Sequence, residues 1–249
     1  LSKGFDCASP LTAETAAAFK ANGYEFVIRY LVPTRYAKAL TKDEADIIQA
    51  AGLKIVSIYE TTANRSLDGH AAGLEDGATA AQCAAAVGQP EGTCIYFNAA
   101  DFDPNADQIP TIIDYIHGCN EATPSYSTGD YGPYNVVTAV KNAGAASHGF
   151  QTYAWSSGKR ADCQIYQWQN GDQYDEDESF GCEGWWGTEP ASLPATVATK
   201  LDPGVALTWI NTWGIPSWNA AIAAVDKEQA DYIHWLCNML REASGLPLE

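Results

Sequence analysis

Positive charge is scarce in this chain of 249 residues. Lysine and arginine number 14 against 31 aspartates and glutamates, a formal net charge of −17. Binding nucleic acid requires a basic stripe to neutralise phosphates, so this balance excludes it and disfavours polyanionic partners. Long apolar runs are also missing, and none reaches the roughly 20 residues of a membrane-spanning helix. The seven cysteines include no Cys-x-x-Cys pair, and an odd number leaves at least one unpaired. A zinc knuckle or dense disulfide framework is therefore not expected, and most of the seven read as small buried hydrophobes. The four histidines, His70, His117, His148 and His234, lack metal-ligand spacing. There is no Gly-x-Ser-x-Gly elbow, no phosphate loop and no His-Glu-x-x-His. Neither a metal nor a cofactor is expected. The chain opens on Leu1 rather than Met, which is compatible with a leader already removed, and no signal peptide is visible.

What the chain does have is regular alternation. Strands are read at Lys3–Cys7, Glu25–Leu31 and Lys54–Glu60, and the stretch Thr93–Pro104 begins as a buried strand. Further strands follow at Tyr126–Tyr131, Gly149–Trp155 and Gln164–Gln169, with a short eighth that includes Tyr174 and Asp175. Between them lie helical segments: Thr12–Asn22 stopped by Gly23, Thr41–Ala51 opened by Thr-x-x-Glu, about Asp76–Val87, Asp107–Glu121, and Tyr134–Asn142 ended by Gly144. Strands alternating with helices at this rhythm specify a parallel sheet with helical crossovers. The gaps Ser156–Cys163 and Asn170–Gln173 are too short for a helix, so hairpins or tight turns are expected there. The fold class is α/β: an irregular TIM-like β/α barrel of five β/α units closed by three strands with little helix. A doubly wound open sheet is second, lacking the glycine-rich turn after strand one.

Asp6, Glu60, Asp101 and Asp103 all stand at carboxyl ends of strands, on three of the first four. A barrel gathers such ends at one mouth, where its chemistry is built. Strand alternation would turn Asp101 and Asp103 to one face and Phe102 away, and paired carboxylates there would hold a proton unusually well. The competing reading is an acidic turn before Pro104, with Asp103 capping the next helix. Tyr30, Tyr59, Phe102, Tyr131 and Trp155 accompany the acids. Flat apolar faces beside carboxylates suit carbohydrate, although core packing accounts for most such rings.

Taken together, Gly4 to Asp6, Arg29 to Pro33, Ser57 to Thr62, the Asp-x-Asp at 101–103, Gln151 to Trp155, Ile165 to Gln169, Tyr174 to Asp177 and Glu183 to Trp186 resemble the glycoside-hydrolase-like domain related to family 25 lysozymes. The resemblance spans about Gly4 to Trp186. It implies an eight-stranded barrel with five helices and N-acetylmuramidase-type cleavage of peptidoglycan. It implies catalytic roles for Asp6, Asp101 and Asp103, with Asp103 where the family has its general-acid glutamate. Glu60, read from its own strand end, is the alternative proton donor. Asp175, Arg29, Tyr59, Trp155 and Tyr131 are the expected substrate-binding residues. Two departures stand out. Asp103 is one methylene shorter than glutamate, and Asn98–Ala100 is one residue longer than in the relatives, an excess that a β-bulge would absorb.

The implied partner is peptidoglycan or a related N-acetylated glycan, met outside the cell or at the cell wall, with a phage-borne origin also open. A monomer is expected. A catalytically inactive barrel that binds the same glycan is the alternative function. The barrel is expected over residues 1–189. Residues 190–249 are expected to form an aromatic-rich connection containing Trp209, Trp213 and Trp218, then a helix from Asp226 to about Arg241, packed on the barrel.

Overall fold

A computed structural model of the chain describes residues 1–181, 183–187, 203–224, 227–244 and 246–247. The chain divides into two compact units, Leu1–Ala191 and Ser192–Glu249. The boundary expected after residue 189, and Asp226 as a helix start, lie outside the described residues.

The first unit is a closed eight-stranded barrel in sequential order. Its strands are β1 (Ser2–Asp6), β2 (Phe26–Tyr30), β3 (Lys54–Tyr59), β4 (Cys94–Asn98), β5 (Ser127–Gly132), β6 (His148–Thr152), β7 (Ile165–Gln169) and β8 (Asp175–Ser179). The crossover helices are α1 (Ala13–Ala21), α2 (Lys42–Ala50), α3 (Gly69–Val87), α4 (Ile109–Ala122) and α5 (Tyr134–Ala143). β1 to β7 run parallel, and β8 closes the ring antiparallel to both β7 and β1. The five β/α units and three-strand closure expected from the sequence are therefore present.

One connection differs. β6 stops at Thr152, three residues short of Trp155, because Trp155 and Ser157 take left-handed φ angles of 53° and 51° that no strand can hold. Residues 153–164 are then long enough to return the chain parallel without a helix, in place of the hairpin or tight turn expected. α3 also begins earlier than its alanine-rich stretch suggested, at Gly69. Its Gly73 meets α4 so closely that a Cβ would lie 2.0 Å from the Tyr115 carbonyl oxygen.

Alternation explains the motif Gly4-Phe5-Asp6. Phe5 points outward and stacks on Phe19 of α1 at 3.7 Å. Gly4 and Asp6 point into the barrel. A Cβ on Gly4 would lie 2.1 Å from the Phe26 ring, so the missing side chain is the space that Phe26 fills. Phe26, Ile28, Val56, Ile58, Tyr96, Phe150 and Ile165 pack this interior. Gly4→Ala should cost about 1–3 kcal/mol through overpacking, read as a lower urea midpoint at unchanged slope. An unshifted midpoint would show that the ring moves aside freely.

In the second unit, the expected connection is helical: α6 (Pro203–Trp209), a π-turn at Ile210–Gly214 and α7 (Ile215–Ala223). The wider π-turn lets the chain pass Pro216, which lacks an N–H and crowds the preceding turn, without ending the helix. α8 (Lys227–Ser244) buries Ala230, Ile233 and Cys237 against Ile210 and Ala221. Among the described residues no helix is long and apolar enough to cross a membrane.

Candidate active site

A cavity of about 160 Å³ opens where the parallel strands end. Its lining includes Asp6, Tyr30, Glu60, Asp101, Tyr131, Gln167, Asn170 and Asp175, above Ile28, Ile58 and Phe150. Asp6 is the last residue of β1, Glu60 follows β3, and Asp175 opens β8. Asp101 arrives by an irregular route. The N–H groups of Ala99 and Ala100 both donate to the Tyr131 carbonyl, at 3.0 and 3.1 Å, a bulge-like pattern of two residues against one. The Asp101 N–H then donates to Ala63 O at 3.2 Å, and Asn98 Nδ2 ties the same loop through Thr62 O and Ala63 O.

Gln167 joins the acids. Its Nε2 donates to Asp6 Oδ2 at 2.8 Å and to Asp175 Oδ2 at 2.9 Å. Its Oε1 accepts from Thr152 Oγ1 at 2.7 Å and from the Tyr131 hydroxyl at 3.2 Å. Two hydroxyl donors on one side and two carboxyl acceptors on the other fix the orientation of the amide. Asp175 is also held by the Gly171 N–H at 2.9 Å.

The four carboxyls do not titrate alike. Burial, followed by repulsion from Asp175, pushes Asp6 up to about 7, against the pull of the Gln167 amide. Burial also raises Glu60 and Asp101, and in each the Lys38 ammonium works in the opposite direction. Asp175 is raised by burial, with the Gly171 N–H pulling back. Below Asp6 and Asp175, Asp177 is fully buried with neither carboxyl oxygen hydrogen-bonded, and burial holds it well above the usual carboxylate range. Among the described residues no group of three His, Cys, Asp or Glu could hold a metal ion.

Several expected site residues lie elsewhere. Asp103 is exposed and outside the cavity lining. β4 ends at Asn98, so strand alternation does not extend to position 103. Nor does Asp103 cap the next helix, because Asn105 does so, accepting from the Asp107 N–H at 3.0 Å. Arg29 is completely buried on the outer face of β2, where its Nε donates to Glu44 Oε1 at 2.7 Å, so it does not touch the cavity. Tyr59 is buried outside the barrel against Asp76 and Phe97. Trp155 does not line the cavity; it is 46 % exposed on the loop after β6. That loop is anchored by the Ser156 hydroxyl, which donates to Thr152 O at 2.6 Å and accepts from the Tyr134 N–H at 3.0 Å. Tyr131 and Asp175 stand in the cavity as expected. Gln167, Asn170 and Lys38 were missed. Gln167 could have been found from its parity with Ile165, because alternate β7 residues face inward.

Residues 17–193 match the Rv2525c-like, glycoside hydrolase-like domain, and the chain belongs to that family. It is 35% identical over 162 residues to YbfG of Bacillus subtilis (strain 168), a match covering 58% of this chain and 22% of that protein. FadG of the same strain is 31% identical, over 59% of this chain and 28% of FadG. The chain thus spans about a quarter of the length of these curated relatives. The fold is that of the Tat-secreted Mycobacterium tuberculosis protein Rv2525c solved with L-tartrate, at TM-score 0.68 and 22% identity, over 75% of this chain and all of that one. The Streptococcus pneumoniae modular autolysin LytC, solved with a synthetic peptidoglycan ligand, aligns at TM-score 0.51 and 9% identity, over 74% of this chain and 46% of LytC.

Proposed function

We propose that the barrel is a glycosidase acting on peptidoglycan or a related N-acetylated glycan, outside the cell or at the cell wall. The observation that carries this reading is one open cavity in which four carboxyls from separate strands meet, with the proton of Asp6 retained near neutrality. Carboxyls in one site whose environments differ can divide the acid and base roles. Asp6, protonated, gives its proton to the leaving oxygen. Asp101, as the carboxylate, steadies positive charge at the sugar carbon or orients the attacking group. That group is water or the substrate's own N-acetyl oxygen. Gln167 holds Asp6 and Asp175 in place, and Trp155 offers a flat face at the rim for a neighbouring sugar.

The test is release of reducing ends from purified cell-wall glycan. Wild type is expected to release them, and Asp101→Asn to lower the rate by at least about a hundredfold while leaving the thermal midpoint near wild type. Unchanged turnover would remove Asp101 from the chemistry. A second reading, glycan binding without cleavage, is favoured by Asp103: the position where the resemblance to family 25 lysozymes would put the general acid lies outside the cavity. Co-sedimentation with insoluble glycan without any release would establish that reading instead.

A further inference from the structure

We propose that Lys38 is a positioning residue that sorts the acids of the cavity, holding Glu60, and with it Asp101, as the anions. The role given to Asp6 rests on the glycosidase reading; the sorting itself does not.

Lys38 lies in the segment between β2 and α2. Its Nζ is 3.5 Å from Glu60 Oε2 and 4.0 Å from the centre of the Tyr30 ring. The side chain is 23% exposed, so its charge is only partly screened. Main-chain contacts fix this geometry. Leu40 N–H donates to Tyr30 O at 2.8 Å, and Ala39 forms a parallel bridge with Tyr30. The Lys38 carbonyl accepts from Arg29 Nη2 at 3.3 Å, and Arg29 is itself clamped to Glu44. The ammonium is thus held over Glu60 by a backbone anchored in the core. Arg35, in the same segment, lies over Tyr36 instead, 4.9 Å from that ring.

The titratable groups lining the cavity are Asp6 of β1, Tyr30 of β2, Glu60 after β3, Asp101 after β4, Tyr131 of β5 and Asp175 of β8. Lys38 acts against burial at both Glu60 and Asp101. The charges acting most strongly on Asp6 are those of Asp175, Glu60 and Asp101, all of one sign. A cation beside one part of a ring of acids makes the ionisations unequal: the carboxyls nearest it give up protons first, while Asp6 is raised by burial and by Asp175. Arg29, expected to bind substrate, then reaches the site through main chain, at the carbonyls of Lys38 and of Cys7, the residue after Asp6.

The experiment is a carboxyl-carbon NMR titration of the full chain labelled at Asp and Glu, in wild type, Lys38→Met and Lys38→Arg. The methionine variant should raise the titration midpoints of Glu60 and Asp101 by about one pH unit or more, and the arginine variant should keep them near wild type. A companion pH profile of reducing-end release should show its acidic limb displaced upward by the same amount in Lys38→Met and restored in Lys38→Arg. Identical Glu60 and Asp101 midpoints in wild type and Lys38→Met would overturn the proposal. If wild type releases no reducing ends at any pH, the glycosidase reading fails, and the titration still decides the role of Lys38. Should Lys38→Met not fold, Lys38→Gln carries the same comparison.

Discussion

Replacing Arg29 by methionine should cost the barrel about 3–5 kcal/mol, the effect expected when one partner of a buried ion pair is removed. Arg29 is completely buried and Glu44 nearly so. Nε donates to Glu44 Oε1 at 2.7 Å and Nη2 to Glu44 Oε2 at 3.2 Å, while Nη1 donates to the Cys7 carbonyl. Without the guanidinium, the Glu44 carboxylate stays buried with only the Leu11 N–H, at 2.9 Å, on its oxygens. The Cys7 carbonyl loses its donor as well. The measurement is urea unfolding, with a large fall in midpoint and little change in slope. The double variant Arg29→Met/Glu44→Leu should recover part of the loss, since no buried charge is then stranded. Recovery should remain incomplete because Leu11 N–H and Cys7 O keep no side-chain partner. A single variant within about 1 kcal/mol of wild type would mean that the pair contributes little.

Asp6→Asn should do the opposite to stability, in a pH-dependent way, and on the glycosidase reading it should abolish glycan cleavage. Asp6 titrates at about 7 in the folded barrel and near the ordinary aspartate value when unfolded. The folded state therefore keeps a proton that the unfolded state releases. Stability from this group is full below about pH 4 and is lost as pH rises toward 7. Over that interval the loss is on the order of 4 kcal/mol, and it levels off above pH 7. Asparagine carries no such penalty, so the stability difference between variant and wild type should swing in the variant's favour by that amount from pH 3 to pH 8. A difference that stays constant with pH would show that Asp6 is not held protonated. A functional group that weakens the fold is a common exchange at active sites.

The acids at strand ends were legible because their positions depend only on where strands stop. Asp6, Glu60 and Asp101 share a cavity because a closed parallel barrel brings those ends together. The side each residue faces was less well read. Tyr59 and Glu60 are consecutive, so both could not turn inward, and the same parity sends Arg29 outward between Ile28 and Tyr30. Asp103 was misplaced because alternation was carried past the end of β4, into a loop set by two N–H groups sharing one carbonyl. At Thr41 the capping-box signature is only half used. The threonine caps α2 by accepting from the Glu44 N–H, but the Glu44 carboxylate goes to Arg29, a long-range demand that no local pattern announces. Gln167 carries no charge and matches no catalytic motif. Only the closed ring, which sets β7 beside β8 and β8 beside β1, reveals that one amide reaches two acids.

Phe26, Tyr96 and Phe150 plug the barrel beneath the acids, as barrel interiors are usually plugged. The cup is therefore a dead end for a polymer. On the glycosidase reading, a strand of sugars cannot thread through; it would lie across the rim, lower one unit toward Asp6 and lift off by the way it came. Among the described residues of the barrel nothing closes over the cup, so on the glycosidase reading fragments of many sizes should accumulate from the first minutes of digestion, without a ladder shortening from one terminus.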